Sequence, residues 1–238
     1  MGAKIWKISQ SEYFKIFFKS LNGRYKRSGT PPVSKRCKGK PDPDLYALKV
    51  ELIAELEKLS QQGIIDLFYG DETGSPADHV CSEGYVPYGW QFPDEDVYIP
   101  VEKGYKINIW GLISRYNQKH WATTEQNIDS RFVFEQLDLL SFQIKKQTVI
   151  LLDNATIHKA KIIQNQLKFW EKRGLYIFYL PPYSPNLNIA ETLWRKMKKE
   201  QIDPIDYLNK DTLFYAVNQC LAQLGKNWKI NFSEFNIN

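Results

Sequence analysis

Cysteine is scarce in this sequence. Cys37, Cys81 and Cys220 are odd in number, scattered and without a CxxC pair. That pattern argues against a disulfide framework and a zinc site, and for a reducing compartment. No apolar run approaches the roughly 20 residues of a membrane span. The opening MGAKIWKISQ has no secretory h-region, and Trp6 stands where a myristoylation signal needs Ser or Thr. Acid is the other shortage. In residues 1–40, Glu12 faces eleven Lys/Arg, a balance of +10 in a chain whose total is +5. The remainder is therefore mildly acidic. A basic arm joined to an acidic globule suits a polyanion partner, or else is a solvated leader.

What is present is core-forming material: 238 residues, 43% hydrophobic and 14% aromatic, enough for one large domain or for one domain plus a small appendage. SEYFKIFFKSLN (11–22) predicts a short helix with a greasy face. The Gly-, Pro- and Lys/Arg-rich stretch after it predicts an extended linker. LYALKVELIAELEKLSQQG predicts a helix closed by Gly63. IIDLFYGDETG reads as a buried strand that stops on two acids. DVYIPV (96–101) and YKINIWGLIS (105–114) alternate like antiparallel strands, and 119–125 adds a short one. NIDSRFVFEQLDLLSFQI predicts a helix, QTVILLDNA a strand that stops on an acid, and HKAKIIQNQLKFWEKRG a helix with a Gly stop. LYIFYLPPYSPN predicts a strand and a rigid turn; NIAETLWRKMKKEQ and TLFYAVNQCLAQLGKNW predict closing helices. Strands first, then alternating helix and strand, imply a mixed α/β sheet flanked by helices. Ligands in such sheets gather at the carboxyl ends of strands.

Three acids stand out. Asp71 and Asp153 each follow an apolar strand, where an uncompensated charge is costly. Glu191 opens a helix behind a turn stiffened by Pro181, Pro182 and Pro185. Leu187, Ala190 and Trp194 form the inward stripe of that helix, with Glu191 at its edge. Taken alone, either strand-end acid reads first as a turn or cap residue, and Glu191 reads also as a first-turn acid favoured by the helix dipole. Together, three carboxylates from separate elements can hold two metal ions about 4 Å apart for phosphoryl transfer. Mg²⁺ prefers such oxygens. Arg195, Lys198 and Lys199 follow on the same helix and suit a phosphate backbone. Glu72 reads as a supporting acceptor or plain surface. Asn154 shapes the loop beside Asp153. His158 contacts a scissile phosphate or a metal-bound water, or is a partly buried residue at a helix start. Asn188 caps the Glu191 helix. Trp90 and Tyr88 in GYVPYGW pack in the core or stack on a base.

DETG (71–74), LLDNATIHK (151–159) and LPPYSPNLNIAETLWRKMK (180–198) resemble the three signature motifs of bacterial insertion-sequence transposases of the mariner superfamily, in the aspartate–aspartate–glutamate group. Thirty-seven residues separate Asp153 from Glu191, a spacing typical of that superfamily. The resemblance implies an RNase H-like fold, catalytic and metal-holding acids at Asp71, Asp153 and Glu191, two Mg²⁺ ions (or Mn²⁺), hydrolysis at transposon ends, and strand transfer of the freed 3′-hydroxyl into target DNA. It also implies a preference for TA steps, which deform easily. Ile189-Ala190 replaces the family's Pro-Ile, taking one rigid residue out of the helix start. Full-length members begin with helix-turn-helix modules, so the expectation is a chain missing most of that region.

The expected organisation is a basic arm, linker and helix over 1–62, an RNase H-like catalytic domain over 63–228, and a tail over 229–238. Expected DNA contacts are Arg24, Lys26, Arg27, Lys35 and Arg36 in the arm, with Arg195, Lys198 and Lys199. Expected partners are double-stranded DNA, a second copy of the chain in a homodimer on DNA, and an upstream helix-turn-helix half, in the cytoplasm with the nucleoid and with no membrane. The alternatives are a non-catalytic DNA-binding remnant or partner subunit of a split transposase, and a ribonuclease of the same fold.

Overall fold

The apolar strands assemble into one five-stranded sheet. A computed structural model describes residues 43–76, 105–182, 184–233 and 235. These lie in one compact unit, Gly39–Asn238. Its strands are β1 (Asp66–Pro76), β2 (Lys106–Ile113), β3 (Lys119–Thr124), β4 (Thr148–Leu152) and β5 (Leu175–Tyr179), in the order β3-β2-β1-β4-β5. β1–β2 and β2–β3 pair antiparallel; β1–β4 and β4–β5 pair parallel. The helices are α1 (Pro43–Gln61), α2 (Ser130–Gln143), α3 (Lys161–Arg173), α4 (Ala190–Lys196) and α5 (Lys210–Gln223). This is the RNase H-like mixed sheet with flanking helices that the motifs imply. The helix at 11–22, the strand at 96–101, the GYVPYGW stretch and the arm residues Arg24, Lys26, Arg27, Lys35 and Arg36 lie outside the described residues.

Alternation along the strands divides the two faces. On one, Phe68, Trp110, Leu112, Ile150 and Leu152 pack with Val133 and Leu137 of α2 and Ile163 and Trp170 of α3. On the other, α1, α4 and α5 cover the sheet. Tyr69 donates to Glu57 of α1, and Trp121 of β3 donates to Asn218 of α5. Two glycines permit the close fit around Asp71. A Cβ on Gly70 would stand 2.5 Å from a Leu152 methyl, and one on Gly111 would stand 2.6 Å from the Trp194 ring. α1 is closed as expected, with Gly63 at φ +72° and its N–H donating to the Ser60 carbonyl.

Two expectations change. β1 does not stop at Asp71 and Glu72. It runs on to Pro76, because β2 pairs with it antiparallel through Gly74, Ser75 and Pro76 after the parallel pairing with β4 ends at Tyr69. The acids broke the apolar pattern without breaking the hydrogen-bond ladder. The helix after Glu191 is α-helical only to Lys196. Met197–Gln201 is a π-helical turn, with the Ile202 N–H donating to the Met197 carbonyl.

Candidate active site

The register of β1 and β4 builds the centre of the site. Tyr69 pairs with Leu151, so Asp71 lies abreast of Asp153, one residue past the end of β4. Glu191 is brought to them by Asn188. Its amide donates to the Gly70 carbonyl at 3.1 Å, and its side-chain oxygen accepts from the Ala190 N–H at 3.1 Å. The helix cap position itself falls on Ile189, so Asn188 is a tether between the proline turn and the residue before Asp71 rather than a formal cap. Trp194, 4% exposed, lies across Gly111, the β2 residue paired with Asp71, and seats the helix there.

Asp71 and Glu191 line two recesses. One, of about 390 Å³, also has Asp153, Asn154, Pro182 and Asn188 in its wall. The other, of about 360 Å³, has Glu72, Trp194, Arg195 and Lys199. Burial and the negative charges of Glu72, Glu191 and Asp153 push the Asp71 carboxyl from 3.8 up to about 7. The site gathers more negative charge than it balances.

Glu72, in the wall of the second recess, also reaches a buried histidine. His158, fully buried, bonds Asp153 Oδ1 through Nδ1 at 2.7 Å and Glu72 Oε1 through Nε2 at 2.5 Å. Donating to two carboxylates requires both ring protons. Burial opposes that charge, but the two carboxylates outweigh it and raise the His158 pKa to about 9. The hydrogen bond from His158 is in turn the main cause that lowers the Asp153 pKa, and the Ala155 N–H adds a second bond at 2.8 Å. His158 therefore joins the two acids, an arrangement sequence reasoning did not foresee.

Asn154 donates to the Leu180 carbonyl at 2.6 Å and accepts from Lys159. It thus ties the loop after β4 to the start of the proline turn. Lys198 turns inward and donates to Thr73 Oγ1 and the Gly74 carbonyl, each at 2.7 Å. Burial lowers its pKa against the pull of Asp71 and Glu191. Arg195 and Lys199 are exposed at the recess mouth. Lys49 of α1 was missed by sequence reasoning; its ammonium meets the same turn from behind. The signal was there, since Lys49 stands in the stripe continued by Val50, Ile53 and Leu56, where an apolar residue belongs.

Among the described residues, no group of three or more His, Cys, Asp or Glu side chains is already drawn into a metal-holding cluster. The donor chemistry nevertheless fits a hard divalent cation. Carboxylate oxygens arrive from three elements, and the Asp71 pKa is raised by burial and then by like charges that a cation would offset.

The family model for DDE superfamily endonucleases matches residues 66–213, which spans all three acids. The chain belongs to that family. No curated protein matches its sequence. Among solved structures it is similar to the Mos1 mariner paired-end complex with Mn, at 14% identity and a TM-score of 0.48, covering 96% of this chain and 79% of that one. It is similar to the catalytic domain of Mos1 mariner transposase at 13% identity and 0.44, covering 84% and 94%. The catalytic core domain of BIV integrase matches at 15% and 0.41, covering 68% and 84%. No described helix of this DDE-family chain is long and apolar enough to cross a membrane.

Proposed function

We propose that this chain is the catalytic part of a DNA transposase, hydrolysing phosphodiester bonds at transposon ends and joining the freed 3′-hydroxyl to target DNA. The observation that carries the reading is the convergence of Asp71, Asp153 and Glu191 from three elements on one recess, with the Asp71 pKa raised to about 7 by burial and then by neighbouring like charges. Those three side chains would hold the metal; two Mg²⁺ ions (or Mn²⁺), when bound, supply an activated attacking oxygen and stabilise the leaving one. The chain does the rest. His158 engages Asp153 Oδ1 and leaves Oδ2 for a ligand. Asn188 and Trp194 fix where Glu191 enters. Arg195 and Lys199 at the mouth take the phosphate backbone, while Lys198 braces β1 beside it. Arg24, Lys26, Arg27, Lys35 and Arg36 supply further phosphate contacts from the arm.

Double-stranded DNA is the partner, as transposon end and as target. The working form is a homodimer on DNA in the cytoplasm, with an upstream helix-turn-helix half selecting the ends. The test is Mg²⁺-dependent nicking of the element's own terminal repeats, with and without that half. Asp153→Asn is expected to abolish nicking and leave DNA affinity within about twofold, because it removes a metal ligand and not a phosphate contact. Nicking that survives in Asp153→Asn overturns the assignment, and preferential cleavage of RNA–DNA hybrids replaces transposition with ribonuclease activity.

A further inference from the structure

Lys49 lies on α1, upstream of the 66–213 family match, and only 7% of it is exposed. Its ammonium donates to the carbonyls of Tyr179 at 2.5 Å and Leu180 at 3.1 Å, and stands 5.6 Å from the centre of the Phe178 ring. Burial, and then the charge of Lys159, bring its pKa down to about 8. A buried ammonium on two neutral carbonyls and a ring is a poor stabiliser; an apolar side chain of equal length would seat more cheaply. What the ammonium adds is direction, and the carbonyls it grips have a second partner set.

The Leu180 carbonyl also accepts from Asn154 at 2.6 Å, and the Leu180 N–H donates to the Leu152 carbonyl at 2.8 Å. Leu180 is thus bonded to both residues that flank Asp153. It also begins the turn through Pro181, Pro182 and Pro185 that leads to Asn188 and Glu191. We propose that Lys49 is a positioning residue that fixes the proline turn against the loop after β4, and so sets Asp153 relative to Glu191. α1 thereby becomes part of the site's support, although none of its described side chains lines the recess.

The proposal rests on the transposase reading for its kinetic test, so a second readout is independent of activity. In the full chain, Lys49→Met keeps the buried stem and removes the donors. It is expected to lower kcat for terminal-repeat nicking by about 10- to 100-fold, the effect of a misplaced reacting group, with KM for DNA unchanged. Lys49→Arg, which retains a cation and donors, is expected to keep more of the rate. Hydrogen exchange is expected to quicken in residues 152–158 and 178–188 of Lys49→Met, with β2 and α5 protected as in the parent. Wild-type nicking with an unchanged kcat in Lys49→Met overturns the proposal. So does exchange that stays unchanged at those two segments, or that rises evenly across the sheet. If the parent chain nicks no DNA even with the upstream half, the transposase reading fails, and the exchange pattern still decides whether Lys49 positions the two segments.

Discussion

Asp71 and Glu72 are adjacent on β1 and share a recess with Glu191, yet only Glu72 is bonded to the buried imidazole of His158. On the first side, burial and then like charges hold a carboxyl near pKa 7. On the second, an imidazolium with a pKa near 9 bridges two carboxylates and cancels one of their two charges. The second side carries a counter-charge of its own as folded. The first is complete only with a cation added. The difference shows where the fold leaves negative charge uncompensated, and therefore where a divalent cation would be drawn.

The largest effect expected from breaking this contrast is at Asp71. Asp71→Asn is expected to lower nicking by at least about 10³-fold, in line with loss of a metal-bound nucleophile. The same change should stabilise the metal-free protein. The folded carboxyl titrates near 7 and an ordinary one near 3.8. Between those values the folded state holds a proton that the unfolded chain has lost, so stability falls as pH rises through that window. Asp71→Asn is expected to be more stable than the parent by on the order of 2 kcal/mol above pH 7, with the advantage gone below about pH 4. Urea melts at pH 4, 6 and 8 measure this, and a variant that is less stable at pH 8 would break the comparison.

Next in size is His158. His158→Gln leaves Glu72 and Asp153 facing each other without the imidazolium and should cost about 2–4 kcal/mol near pH 7. The sign is opposite to that of Asp71. The folded pKa is raised from 6.5 to about 9, so the stabilisation is full below pH 6.5 and is lost as pH rises through 9. Parent and variant melts should therefore converge toward pH 10. A gap that stays constant across pH would assign the loss to packing alone.

Much of this was readable from residue order, and the failures have physical causes. The helix from Pro43 to Gln61 and the strand of Val149, Ile150, Leu151 and Leu152 announce themselves by period and by burial on both faces. The three acids stand out in the sequence because apolar runs stop at two of them and a proline turn precedes the third. The length of β1 was not, since the cross-strand ladder with β2 outlasts the apolar run. The His158 bridge was not, because Glu72 is 86 residues away in sequence and only the parallel pairing of β1 with β4 brings it near. Lys49 was visible as a charge in an apolar stripe, but its partners are backbone carbonyls 130 and 131 residues on, which no side-chain pattern marks.

Added metal sharpens the comparison more gently. At tenfold the dissociation constant, Mg²⁺ binding to the folded state alone is worth about 1.4 kcal/mol. Differential scanning calorimetry should show a rise in Tm of a few degrees for the parent and little or none for Asp71→Asn or Glu191→Gln. An equal rise in all three would place the ion elsewhere.

The smallest effect is expected at Glu72. Glu72→Gln keeps an oxygen that can accept from His158 Nε2 and loses only the charge. The imidazolium still has Asp153 at 2.7 Å, so the pair survives with one carboxylate instead of two. Stability at pH 7 should fall by about 1 kcal/mol, near the worth of one ionic contribution to a hydrogen bond. The His158 pKa, followed through its imidazole carbon-bound protons by NMR, should move down from about 9. Asp71 loses Glu72 as the foremost of the charges raising its pKa, so its carboxyl should titrate lower as well. Mg²⁺ should still raise the Tm of Glu72→Gln as it does the parent's, since Asp71, Asp153 and Glu191 remain. Should Glu72→Gln lose that metal response as completely as Asp71→Asn, then Asp71 and Glu72 serve one site, and Glu72 belongs among the groups that hold the ion.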